Sequence, residues 1–379
     1  MKRLSVLLVG VGGYGAGYAR EMLDHGEERG AALAGVVDPY AAASPCYGEL
    51  TARGARFFNT VNEFYRYNAA DLAVISTPIQ FHADQAVACL ERGSHVLCEK
   101  PAAATVEDVQ RMMEARDQTG KTLAIGFQWC YDPAMLRLKA DVDAGLLGRP
   151  LALKSIVLWP RAISYYKRGL GWAGKKRDAS GAAIFDNVAS NATAHYIENM
   201  LWLTGAGYGG VDAADMTVRA LRANDIEMFD TIVMDAVLEN GARMFFVASH
   251  ATGPEGRQDP VFEYEFEKAT VRFGALGETS EALRAEFRDG TAKDYGVSNT
   301  GGCARKLETA MALARGEDTT LPCPAEAAIR HTRAMAMIRA KQPEAEAFPP
   351  EDVRLEDGMV WVLGLKERLI HCYENWAML

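Results

Sequence analysis

The stretch that most constrains the fold is "LSVLLVGVGGYG", residues 4–15. A short apolar run that stops at a glycine has the pattern of a buried parallel strand. Gly10, Gly12 and Gly15 follow at once with G-x-G-x-x-G spacing, and a helical pattern continues to about Arg29. With 35 glycines in the chain the spacing alone recurs by chance. Its place between a strand and a helix gives it weight, because each glycine then has a task. Gly10 permits the tight turn, Gly12 lets a ligand approach the backbone, and Gly15 lets helix and strand pack closely. The exposed helix N-terminus would receive a phosphate. Asp38 ends the second strand, 23 residues past Gly15, where a carboxylate meets an adenosine ribose. No arginine follows in "DPYAAAS", so the pattern leans to NAD over NADP.

The alternation continues. "AALAGVVD", "DLAVISTP", "SHVLCEKP" and "TLAIGF" read as strands, with "HADQAVACLERG" and "VEDVQRMMEARDQTG" as helices between them. Thr105 and Asp108 read as a capping box. Residues 1–126 are therefore expected to form a doubly wound parallel sheet, a Rossmann domain. From 127 to 379 the pattern changes. "LALKSIVLW", "DTIVMDAVLENGARMFFVASH", "VFEYEFEKATVRFG" and "ALRAEFRDG" read as mostly antiparallel strands, with a hairpin at Asn240-Gly241. Helices are expected near 191–204, 302–315, 325–340 and 357–376. The fold class is α/β: a Rossmann sheet followed by an α+β domain on a large, mostly antiparallel open sheet. The C-terminal helices could pack back on the first domain.

A net charge of −9 and a pI near 5.4 argue against nucleic acid or an anionic membrane as partner. No apolar run approaches the roughly 18–20 residues of a membrane span. The N-terminal basic residues and short apolar run end in a glycine turn, without a signal-peptide cleavage site. Seven cysteines without Cys-x-x-Cys pairing suggest reduced thiols in the cytoplasm. The histidines show no metal-ligand spacing, so no metal is expected.

With "GVGGYG", "STPIQFHADQAVACLERGSHVLCEKP" and "AIGFQWCYDPAMLRLK" in view, the chain resembles the glucose-fructose oxidoreductase/inositol dehydrogenase (Gfo/Idh/MocA) family. The most specific piece is Glu99-Lys100-Pro101 at a strand end. The resemblance covers the N-terminal domain and continues to about Gly205; beyond that it is one of fold. It implies a nicotinamide-dependent oxidoreductase acting on a sugar, cyclitol or similar polyol. In the family the lysine of Glu-Lys-Pro, here Lys100, contacts the reacting hydroxyl and assists proton transfer. The family's Asp-x-Gly-x-His-x-x-Asp motif corresponds here to Asn191, Thr193, His195 and Glu198, in a register fixed by "MLWLTG". Cofactor contacts are expected at Gly10, Gly12, Gly13, Tyr14, Gly15, Asp38, Thr77, Pro78, His82, Glu99, Lys100 and Gln128. Substrate contacts are expected at Lys100, Trp129, Arg161, Tyr166, Trp172, Asn191 and His195.

Each assignment has a plainer counterpart. Lys100 could be an ordinary lysine after a strand, although ligands bind at that end of an open α/β sheet. An unperturbed imidazole such as that of His195 suits acid–base work near neutrality, but a lone helical histidine is often a partly buried structural residue. Asn191 departs from the family's carboxylate: an amide can hydrogen-bond a hydroxyl but takes no proton. It could equally be a helix N-cap. Asp186 could supply the missing carboxylate, or be a loop residue. Cys130 stands where many members have arginine. Trp159, Arg161, Tyr165, Tyr166, Arg168, Trp172 and Lys175 suit a polyhydroxylated or acidic substrate, or else a solvated loop or subunit contact.

Lys100 and His195, with Asn191, are the expected catalytic set of a dehydrogenase. A glycosidase of the same fold, with NAD-dependent transient oxidation and no net redox change, is the second reading; a non-catalytic nucleotide or sugar sensor is the third. An exposed sheet face would favour a homodimer or homotetramer through sheet-on-sheet contact.

Overall fold

The computed structural model describes residues 3–168, 171–317 and 320–379. In chain order the first elements are β1 (Leu4–Val9), α1 (Gly15–His25), β2 (Ala31–Val37), α2 (Tyr47–Ala52), β3 (Phe57–Phe58), α3 (Val61–Tyr65), β4 (Leu72–Ile75), α4 (His82–Glu91), β5 (His95–Cys98), α5 (Val106–Thr119) and β6 (Leu123–Ile125). There follow α6 (Pro133–Asp143), β7 (Pro150–Leu158), α7 (Ile163–Tyr166), α8 (Ala194–Thr204), β8 (Ala213–Arg222), β9 (Thr231–Leu238), β10 (Arg243–Ser249), β11 (Gln258–Phe266), β12 (Ala269–Ala275), β13 (Glu278–Phe287) and β14 (Ala292–Val297). The chain closes with α9 (Gly302–Ala314), α10 (Ala325–Lys341), β15 (Glu346–Ala347), β16 (Val353–Glu356), β17 (Met359–Val362) and α11 (Leu365–Asn375). Among the described residues no helix is long and apolar enough to cross a membrane.

Two compact units emerge. The first joins Met1–Asp132 to Thr300–Ile329; the second joins Pro133–Asn299 to Arg330–Leu379. In the first unit six parallel strands run in the order β3-β2-β1-β4-β5-β6. Such a sheet is covered on both faces, and Val6, Leu8, Leu72, Val74 and Leu97 are accordingly fully buried. The returning helix α9 adds Leu307, Ala310 and Met311 to the same core. Thr105 caps α5 by accepting from Asp108 N at 3.2 Å, and Gly120 ends that helix in the left-handed region.

The second unit is built on nine strands in the order β14-β13-β12-β11-β7-β10-β9-β8-β15, antiparallel except for β7–β10 and β8–β15. Asn240 and Gly241 form the turn between β9 and β10; Gly241 takes φ +84° there. Residues paired across strands share a face. On one face Ile156, Leu158, Val233, Phe245, Val247 and Val261 pack against Val362 of β17 and Leu365, Leu369, Cys372 and Tyr373 of α11. Lys154 Nζ lies 4.7 Å from the Tyr373 ring and the Arg243 guanidinium 4.7 Å from the Trp376 ring. Toward β14 the same face turns charged: Arg272 pairs with Glu263 at 2.8 Å and Glu286 at 2.5 Å, and Arg288 with Glu265 at 2.7 Å. On the opposite face Phe262, Tyr264 and Phe273 stack at 4.5 and 4.9 Å.

The sheet face expected to lie open is thus covered over its apolar half from within the chain and charged over the rest. Val237 of β9 stays exposed on that face. A second difference lies at 357–376, expected to be one helix. Asp357 and Gly358 instead turn the β16–β17 hairpin, both with positive φ, and the helix begins only at Leu365. Asp-Gly between alternating apolar residues is a hairpin signal that outweighs the helical periodicity.

Candidate functional site

In the first unit, topology gathers five strand exits at the carboxyl edge of the sheet. Gly10 follows β1, Asp38 follows β2, Thr77 and Pro78 follow β4, Glu99 and Lys100 follow β5, and Gln128 follows β6. Ligands of open α/β sheets bind at this edge.

The glycines differ in their physical roles. Gly10 has φ +83°, and a Cβ there would stand 2.8 Å from the Ser76 carbonyl oxygen. A Cβ at Gly15 would overlap the Gly10 carbonyl. At Gly12 and Gly13 a Cβ would meet nothing within 4 Å, so open space lies above the loop backbone. Helix α1 begins without a side-chain cap. Bare backbone, open space and an uncapped helix start form the cradle that a pyrophosphate fills. Asp38 braces this loop: Oδ2 accepts from Val11 N at 2.9 Å and Oδ1 from Tyr40 N at 2.8 Å.

The Lys100–Pro101 peptide bond is cis. His82 is 2% exposed, with Nδ1 2.9 Å from the Pro101 carbonyl oxygen and Nε2 2.8 Å from that of Thr77. Burial pushes its pKa below the ordinary value, against the pull of the two carbonyls. The ring therefore ties the β4 exit to the Glu-Lys-Pro turn from inside, a structural position for an expected cofactor contact. Thr77 donates to Gln85 at 2.6 Å.

Glu99 anchors a buried network. Oε1 accepts from Tyr18 OH at 2.6 Å and pairs with Lys306 Nζ; Oε2 accepts from Lys100 N at 3.1 Å. Burial and the Glu99 carboxylate push the Tyr18 phenol well up. Lys306 is itself fully buried on α9 and donates to Tyr14 OH at 3.1 Å; that hydroxyl donates onward to Gln128 Oε1 at 3.2 Å. Glycine loop, Lys100 backbone and Gln128 are so held by one cation. Lys306 is absent from the expected set, since a lysine within an amphipathic helix carries no local sign of burial.

In the second unit the region preceding α8 holds the other expected groups. Helix α8 starts at Ala194 with Thr193 at the cap position, so Asn191 is not its N-cap. Asn191 Nδ2 donates instead to Asp186 Oδ1 at 2.9 Å, and Asp186 Oδ2 accepts from Gly174 N at 2.7 Å. His195 lies in the first turn of α8, 8% exposed. Glu198 is buried, and burial holds its carboxyl well above the usual range, opposed by Arg330.

The aromatic–cationic cluster does assemble. The Arg161 guanidinium lies 5.8 Å from the Trp159 ring and 4.9 Å from the Tyr165 ring; that of Arg168 lies 3.5 Å from Tyr165 and 4.8 Å from Trp172. Tyr166 packs edge-on against Tyr165 at 5.2 Å. His250 Nδ1 donates to the Trp159 carbonyl oxygen at 2.8 Å, and burial with the neighbouring Arg161 pushes its pKa down to about 3. Lys175 pairs with Glu227 at 3.3 Å at the rim. Within the loop 167–181, residues 169 and 170 lie outside the described residues. Trp129, in the first unit, is 6% exposed.

Residues 4–127 match the oxidoreductase family described as having an NAD-binding Rossmann fold. The inositol 2-dehydrogenase of Salmonella typhimurium is 32% identical over 202 residues, 53% of this chain and 54% of that protein. The match thus spans about half of the relative's length. That of Corynebacterium glutamicum is 27% identical over 274 residues, 72% of this chain and 74% of that protein. The fold is shared with the WlbA dehydrogenase of Chromobacterium violaceum, solved with NADH and UDP-GlcNAcA: TM-score 0.72, 22% identity, 90% of this chain and 94% of that one. Residues 4–127 thus match the NAD-binding Rossmann fold of the Gfo/Idh/MocA oxidoreductase family, and the rest of the chain shares the architecture of its structural neighbours.

Proposed function

We propose that the chain is a nicotinamide-dependent oxidoreductase moving hydride between NAD and a hydroxyl-bearing carbon of a sugar, cyclitol or related polyol. The observation that carries this reading is the carboxyl edge of the parallel sheet, where an open glycine cradle, Asp38 and Lys100 follow β1, β2 and β5 of one sheet. The relatives named inositol 2-dehydrogenase support the substrate class.

The nicotinamide supplies the hydride acceptor or donor. The chain's own residues bind, orient and move the proton. The backbone at Gly12 and Gly13 and the start of α1 receive the pyrophosphate. Asp38 accepts from the ribose hydroxyls and repels a 2′-phosphate, which favours NAD. Lys100 and His195 take the hydroxyl proton during oxidation and return it during reduction. Asn191, braced by Asp186, orients a substrate hydroxyl without taking its proton.

The test is a panel of polyols, sugars and sugar acids with NAD and NADP, followed as reduced nicotinamide absorbance. A substrate-dependent rise that Lys100→Ala abolishes supports the reading. Cleavage of an aryl glycoside without NADH accumulation overturns it in favour of the glycosidase, and turnover unchanged within a few-fold in Lys100→Ala removes Lys100 from the chemistry.

A further inference from the structure

The Arg161 cluster holds two guanidiniums, Arg161 and Arg168, that form no ion pair with any described residue. Arg161 makes no hydrogen bond and no ion pair through its guanidinium with any described residue, and its Nε is buried without a partner. Arg168 donates to the Tyr165 carbonyl oxygen at 2.6 Å and forms no ion pair with any described residue. Both guanidiniums bear on one ring, that of Tyr165. The nearby carboxylate of Asp186 is engaged elsewhere, by Gly174 N and Asn191. That of Asp230 accepts from Asn224 N and Nδ2, each at 2.8 Å. By contrast Arg257, which also reaches the Trp159 ring, has its own carboxylate, Asp259, at 2.6 Å. The Tyr166 hydroxyl, within electrostatic reach of Arg161, is buried and has no hydrogen-bond partner among the described residues. His250 adds a neutral imidazole, not a counter-charge.

Partly desolvated guanidiniums are ordinarily paired, because removing a charge from water is costly. Aromatic faces offset part of that cost and hold the planar group in place, but they do not satisfy its N–H donors. An arginine fork flanked by an idle hydroxyl is the donor arrangement that a carboxylate or a phosphate accepts from.

We infer that the substrate of this site carries an anionic group, a sugar carboxylate or a sugar phosphate, received by Arg161 with Tyr166. Arg168 supports it through the shared Tyr165 ring. This rests on the proposed hydride-transfer reading and narrows its substrate class from polyols in general to anionic ones.

The experiment is calorimetric titration of the NADH-loaded protein with D-glucuronate, D-glucose 6-phosphate and D-glucose. At least one anionic probe is expected to bind ten-fold or more tightly than glucose. Arg161→Gln is expected to abolish that difference and Arg161→Lys to restore part of it, with unfolding midpoints near wild type in both. Preference for glucuronate assigns a carboxylate, and preference for glucose 6-phosphate a phosphate. Equal binding of all three probes overturns the inference, as does failure of both anions to bind or a preference that survives in Arg161→Gln. NADH formation from glucose and glucuronate at equal kcat/KM also removes the anion requirement, while leaving hydride transfer standing.

Discussion

Asn191 donates its side-chain amide to Asp186 across 2.9 Å. The position where the family resemblance expects a carboxylate is thus neutral but in contact with one from five residues upstream. Replacing Asn191 with Asp sets two carboxylates against each other, and one must hold a proton. The Asn191→Asp variant is expected to add an ionisation above the usual carboxylate range to the acid limb of the kcat/KM profile. Asp186→Asn should lower kcat about ten-fold, less than the roughly 10²–10⁴-fold of a general acid or base, because Asp186 acts through Asn191. A pH–rate series on both variants and the double replacement measures this; an unchanged acid limb in Asn191→Asp contradicts it.

Lys306 answers Glu99 in a buried pair. Removing one partner leaves the other charge buried and uncompensated, at a cost of about 3–5 kcal/mol. Lys306→Met should therefore destabilise strongly, and Lys306→Met with Glu99→Gln should cost less than the sum of the two single changes. Urea unfolding of the four proteins gives the coupling directly. Additive losses would show that the pair is not a unit.

Asp38 braces the glycine loop through Val11 N. Asp38→Ser removes the charge that repels a 2′-phosphate, and the ratio of kcat/KM for NAD to that for NADP should fall by about ten-fold or more. Steady-state kinetics with both cofactors checks this, with retained NAD preference as the contrary result.

His250 ties pH to stability. Its folded pKa is lowered to about 3, so the native state stays neutral while the unfolded chain takes a proton below its ordinary value near 6.5. The unfolded state binds more protons across this window. Stability is full above about pH 6.5 and falls as pH drops toward 3. Between pH 7 and 5 the loss from this residue is about 2 kcal/mol. The difference in unfolding free energy between wild type and His250→Gln should shrink by that amount over the same interval; a difference that stays constant places the titration elsewhere.

Leu369 is fully buried between α11 and the sheet face. Leu369→Ala should cost about 2–5 kcal/mol, the range for large-to-small changes in a packed core. Denaturant unfolding tests it, and a loss below 1 kcal/mol would mean that the helix contributes little to the unit.

The features legible in the sequence are those set by short-range rules. The βα turn at Gly10–Gly15, the Thr105 cap and the Asn240-Gly241 hairpin depend on residues a few positions apart, and each forms as expected. Asn191 misleads because asparagine is a good N-cap anywhere, while α8 starts three residues later at Ala194. Helical periodicity over 357–376 hides an Asp-Gly turn in its first residues. Lys306 has no local signal at all: its partners Glu99 and Tyr14 lie 207 and 292 positions away, and only the folded chain reveals the pair. The charge excess at Arg161 is visible as composition, but the lack of an acidic answer is a property of the packed site.

The return of residues 300–329 to the first unit sets an order in time. Synthesis delivers the parallel strands and Glu99 long before α9, whose Leu307, Ala310 and Met311 complete their core. Domains tend to fold as units, N-terminal parts first. Here the leading unit must wait, its acidic anchor without a cation, until eight of the nine strands of the second sheet have left the ribosome. A nascent chain stopped before α9 is an unfinished nucleotide fold with an exposed apolar flank, which makes the long intervening domain a window of chaperone dependence.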